Sequence, residues 1–126
     1  MLNNELKFKV WNKVKKKMYI SGSLSFSSER HSFVVFADKE MGLFKDDDIE
    51  ILQFTGQKDM NNREVFQRDI IEIEGKRFII IWDNNRGGWS YTDVERKMIS
   101  HAFGRSEANS SKVIGNEFET PELATL

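Results

Sequence analysis

Apolar and polar positions along this chain alternate mostly with a period of two, the signature of β-strands that bury one face. The longest apolar run lies in the segment Ile49 to Trp82, and the rest of the chain is read around it. Ile49, Ile51, Leu52 and Phe54 are apolar on both faces, as a buried strand requires. Thr55-Gly56 punctuates that run, and Lys58 to Asn62 is a polar turn in which Asp and Asn tolerate left-handed backbone. Ile71 and Ile73 alternate with Glu72 and Glu74, which predicts a half-buried strand, with Ile70 out of phase at its start. Gly75 turns the chain, and Phe78 to Trp82 is again apolar on both faces, a central strand or one wrapped inside a barrel. Asp83 to Gly88 is a strong turn, and Trp89 to Tyr91 returns as the strand that closes a hairpin, so the central β segment spans residues 49–91.

Towards the N-terminus, Leu6, Phe8 and Val10 alternate with Lys7, Lys9 and Trp11, and Lys17 to Ile20 forms the second arm of a hairpin over residues 6–20. Ser21 to Arg30 is serine-rich and irregular, with room for a short strand at Leu24 and Phe26; a clearer strand begins at His31. Beyond the central segment, Thr92 and Glu95 have capping-box form, and Val94, Met98, Ile99, Ala102 and Phe103 follow helical spacing up to Gly104. This predicts a short helix, although a pair of strands also fits residues 93–103. Gly104 to Lys112 reads as a mobile loop, Val113 to Asn116 as a last strand, and residues 117–126 as an acidic tail. In that tail Leu123 and Leu126 could dock on a neighbour, but such a terminus more often frays.

Three blocks of sequence carry a family resemblance: KFKVWNKVKKKMY, IEILQFTGQKDMNNREVFQRDIIEI and VIGNEFETPEL. Together they resemble the YopX family of small phage and prophage proteins from Gram-positive bacteria, over about Leu6 to Leu123. In that family Asn-Gly usually stands at Asn61-Asn62, and Glu-Gly-Asp at Gln67-Arg68-Asp69. Asn62 can take the glycine's left-handed geometry at modest cost, whereas Arg68 pays more. The resemblance implies a mainly β fold and a tendency to self-assemble, and it implies no established biochemical activity.

Composition narrows the function classes. The chain has 126 residues, 31% charged and 39% hydrophobic, with a net charge of −1 that gives no general bias toward nucleic acid. That length suits one domain. There is no cysteine, which removes disulfides, thiolate nucleophiles and thiolate-bound zinc and is compatible with a reducing cytoplasm. No apolar run approaches the ~18 residues of a membrane span, and the N-terminus lacks the apolar core of a signal peptide. A single proline and ten phenylalanines suit β structure with an aromatic core. The expected architecture is a small, partly closed barrel of antiparallel hairpins with one short helix, in a cytoplasmic protein.

Charge is unevenly spread. Residues 1–17 hold six lysines against one glutamate, and residues 38–50 hold six acidic residues against two lysines. Lys13, Lys15, Lys16 and Lys17 could contact phosphate or simply discourage edge-to-edge pairing of strands. Asp46, Asp47 and Asp48 lack the spacing of a calcium loop, and three adjacent aspartates cannot all face one ion. The acidic stretch instead complements the basic hairpin, within one subunit or between neighbours, so these seven residues form the candidate interaction surface. Trp11, Tyr19, Trp89 and Tyr91, beside Lys7, Lys9 and Arg86, would be the aromatic and basic groups of a nucleic-acid-binding barrel, but such aromatics more often fill a core or an interface. His31 and His101 stand without a carboxylate at metal or triad spacing.

Asp69, Glu74 and Lys76 offer the acidic and Glu-x-Lys groups of a metal-dependent nuclease, but Glu74-Gly75-Lys76 spans a predicted turn rather than a rigid strand. With no phosphate-binding glycine loop and no serine-histidine-carboxylate set, the sequence predicts a non-enzyme without a cofactor. The first expectation is an accessory binding or scaffold protein that forms a homo-oligomer and engages a host or phage protein. The alternative is a nucleic-acid-binding barrel using the lysine hairpin.

Overall fold

The computed structural model describes residues 7–27, 32–37, 40–95 and 100–124. They form a mainly β protein of antiparallel hairpins, with a single short α-helix among the described residues. The chain groups into two compact units, Leu6–Gln53 and the segment from Phe54 to the C-terminus.

In the first unit the strands are β1 (Phe8–Asn12), β2 (Lys17–Ser27), β3 (Ser32–Ala37), β4 (Glu40–Lys45) and the start of β5 (Ile49–Lys58). Their order is β4-β3-β2-β1-β5, all antiparallel. The N-terminal hairpin is therefore present, but β2 continues past Ile20 to Ser27 through a register shift between Ser21 and Ser23. Of the stretch Ser21 to Arg30, expected to be irregular with room for a short strand at Leu24 and Phe26, the described part through Ser27 is all strand. His31 lies outside the described residues. A strand at Glu40–Lys45 was not anticipated, because its position inside the acidic stretch hid the pairing with β3. Asp46–Asp48 is one 3-10 turn joining β4 to β5. Val10, Trp11, Tyr19, Ile49 and Leu52 are buried.

β5 is one strand over Ile49–Lys58. It does not stop at Gly56 but runs through it, at φ +87°, with the register against β6 (Glu64–Phe66) shifting between Phe54 and Lys58. Thr55 donates its hydroxyl to Val65 O at 2.8 Å across that shift. The remaining strands are β7 (Asp69–Ile73), β8 (Lys76–Asp83), β9 (Gly88–Asp93), β10 (Ser100–Ala102) and β11 (Lys112–Asn116), in the order β10-β9-β8-β7-β11. Both faces of this sheet are covered. Val65, Ile71, Ile80, Phe103, Ala108 and Val113 form one buried cluster; Ile70, Ile79 and Val94, with Ile81, Ile114 and Leu123 against them, form another. β7 is thus not half-buried at its start: Ile70 and Ile71 are both fully buried, on opposite faces. β8 sits between β7 and β9, as its two apolar faces required.

Several turns hold side chains in left-handed backbone. Ile73 pairs with Lys76 across Glu74 (φ +51°) and Gly75 (φ +79°), a two-residue turn whose doubly positive φ matches the twist of the flanking strands. Asn62 (φ +64°) and Arg68 (φ +70°) adopt the geometry for which glycine is the low-cost residue. Arg68 N–H donates to Ile80 O, Arg68 O accepts Glu117 N–H, and Asp69 Oδ2 accepts Phe66 N–H at 2.8 Å, so the surroundings fix the turn despite its cost.

The helix is not where spacing placed it. Thr92 is a buried residue of β9 rather than a cap, Asp93 Oδ1 accepts Glu95 N–H at 2.7 Å, and Ser100–Ala102 is strand. Met98 and Ile99 lie outside the described residues. The α-helix is instead α1 (Arg105–Asn109), inside the expected loop, where Glu107 Oε1 accepts Gly104 N–H at 2.9 Å and closes the first turn. The tail does not fray through Ala124. Pro121–Ala124 is a 3-10 turn whose Leu123 packs on the second cluster of its own unit, and Leu126 lies outside the described residues.

Candidate functional site

At the tip of the β1–β2 hairpin, Asn12 Oδ1 accepts the N–H groups of Val14 and Lys15, each at 3.0 Å, and Lys16 closes the turn at φ +53°. Val14, 72% exposed, and Lys13, Lys15, Lys16 and Lys17 form the solvent surface of that tip. The acidic turn lies alongside. Lys13 N–H donates to Asp48 O at 2.8 Å, and Lys13 Nζ donates to Asp47 O at 3.2 Å and pairs with Glu50 Oε1 at 3.2 Å. Register explains the approach, since Asn12 pairs with Ile49. The structure therefore brings the basic tip and the turn Asp46–Asp48 to one end of one sheet. The carboxylate at Lys13 is that of Glu50, which the sequence reading did not single out. Both side chains of this pair are nearly half exposed, so it contributes about 0–1 kcal/mol. Lys17 Nζ lies 4.9 Å from the centre of the Tyr19 ring.

The aromatic candidates divide by burial. Trp11 and Tyr19 are core residues of the first unit, with only 8% and 6% exposed. Trp89 and Tyr91, half-buried, belong to an aromatic row on one face of the β8–β9–β10 sheet. Trp82 and Trp89 are cross-strand partners, rings 5.2 Å apart at 82°, and Trp82 is 45% exposed. Tyr91 meets Phe78 edge-on at 5.0 Å and lies 5.3 Å from the exposed His101, its cross-strand partner. His101 is thus an aromatic neighbour on the surface. Trp82 is the exposed member that sequence reasoning missed. It closes an apolar run, and the only signal was its position beside the Asp83 turn, where the strand outlasts the core.

That turn is organised by one carboxylate. Asp83 Oδ1 accepts the N–H groups of Asn85 and Arg86, and Asp83 Oδ2 accepts the Ser100 hydroxyl at 2.6 Å. The Ser100 hydroxyl is the main cause that holds the Asp83 carboxyl below its ordinary value; desolvation, the next effect in size, opposes it, and the two turn amides and the Arg86 charge add to the lowering. Arg86 donates to Ser100 O at 3.0 Å and lies 3.7 Å from Asp83, so its guanidinium is used within the fold.

The nuclease candidates do not converge. Asp69 begins β7 and Glu74 follows its end, about 16 Å along the strand, while Glu74 sits in the turn as expected. Asp69 spends one oxygen on Phe66 N–H. Among the described residues no group of three histidine, aspartate or glutamate side chains is placed to hold a metal ion. Nor is any helix there long and apolar enough to cross a membrane. A cleft of about 430 Å³ lies beside the β7–β8 turn, lined by Gly75, Lys76, Arg77, Asp93, Val94 and Glu95.

Comparison with solved structures gives a similar chain, the crystal structure of protein EF1440 from Enterococcus faecalis. Its TM-score is 0.69 at 20% sequence identity, and the match covers 95% of this chain and 98% of that one. That likeness concerns the fold. No curated protein matches the chain in sequence. The profile described as YopX protein matches residues 7–125, nearly the whole length. The chain belongs to the YopX family.

Proposed function

We propose that this protein is a non-catalytic, cytoplasmic accessory protein that self-associates and binds a host or phage protein. The observation that supports this reading is the aromatic row at Trp82 and Trp89. An indole left 45% exposed beside a second indole is the kind of side chain that interfaces bury and that contributes most to their affinity. Val14 and Ile20, 72% and 63% exposed, add apolar surface on the N-terminal hairpin. The separation of Asp69 from Glu74 argues against the nuclease reading of those residues.

Light scattering after size exclusion tests the proposal, with wild type and Trp82→Ala run at several concentrations. Self-association through the aromatic row predicts a mass above one chain for wild type and a shift toward a single chain for the variant. A wild type that stays at one chain throughout would overturn self-association. An unaltered assembly in the variant would move the interface elsewhere.

Nucleic-acid binding is the second reading, supported by the exposure of Lys15, Lys16 and Lys17 at the hairpin tip. Against it, Lys13 is already paired with Glu50, and Asp47 is exposed nearby. Phosphate-dominated binding would weaken steeply with salt and fall further in Lys15→Glu and Lys16→Glu. A pull-down from host lysate separates the readings: protein partners that survive nuclease and high salt support the first, and nucleic acid lost on either treatment supports the second.

A further inference from the structure

We draw no further inference here: the strongest candidate outside the surfaces already described, the cleft of about 430 Å³ between the β7–β8 turn and the end of β9, is bordered along the chain by residues 96–99, which lie outside the described residues, so nothing in the structure shows what covers it.

Discussion

The Ser100 hydroxyl donates to Asp83 Oδ2 at 2.6 Å, tying the edge strand β10 to the end of β8. Among the described residues β10 pairs with β9 over Ser100–Ala102, and this bond and the Arg86 contact to Ser100 O add to that short ladder. Asp83→Asn is expected to speed amide exchange in Ser100–Ala102 while leaving β7 and β8 protected. Acid should act the same way. Because the folded state holds Asp83 below its ordinary value of 3.8, the stabilisation is present above that value and is lost as pH falls through the lower, folded value. Exchange of β10 in Asp83→Asn should therefore be insensitive to this acid step, and a variant that kept it would rule out Asp83 as its source.

Asp59 is the buried fastener of the loop between β5 and β6. Its Oδ1 accepts the N–H groups of Asn61 and Arg63, and its Oδ2 accepts Val113 N–H from β11 at 2.8 Å. Asp59→Ala leaves the buried Val113 N–H and two part-buried loop amides without their acceptor, and should cost about 1–3 kcal/mol in urea unfolding, the penalty for one buried group left unpaired. Asp59→Asn should recover part of the loss, since an amide supplies one acceptor oxygen where the carboxylate supplied two.

Arg68 stands where a left-handed residue is needed, at φ +70°. Arg68→Gly removes a backbone cost of ~1–2 kcal/mol and gives up a half-exposed pair with Glu117 that contributes about 0–1 kcal/mol. The first effect is larger, so the variant should be more stable by roughly 0.5–1 kcal/mol. A lower urea midpoint would show that the Glu117 pair is worth more than its exposure suggests.

Gly115 faces the tail. A methyl group built there would run into Thr120 and Leu123, the residues that fold Pro121–Ala124 against β11. Gly115→Ala should therefore destabilise by about 1–3 kcal/mol, the usual cost of overpacking, and make the C-terminal segment the first site of limited proteolysis.

How much of this was legible in the sequence depended on the range of the contacts. The doubly apolar run Phe78 to Trp82 and the Asp83 to Gly88 turn are local signals, and β8 and its hairpin with β9 follow them. α1 is a single turn, too short to show a period, and is closed by Glu107 rather than by an apolar stripe. The helical spacing through Val94 and Phe103 misled because those residues meet cores that distant strands supply: Phe103 rests on Tyr91, and Val94 on Ile70 and Ile79. β4 lay hidden among charges, for its pairing is set by β3. On the candidate surface, Lys13 meets backbone oxygens of the acidic turn and the Glu50 carboxylate, contacts that needed the register of β1 on β5. The exposure of Trp82 needed the extent of the core.

Ile70 and Ile71 are neighbours in sequence, yet each belongs to a different buried cluster. The β7 backbone is therefore a partition between two independently packed volumes. Substitutions can drift on one side without requiring compensation on the other, so divergent relatives can repack each cluster separately. Slipping the strand by one residue would instead exchange both sets at once, which penalises misregistered pairing on both faces.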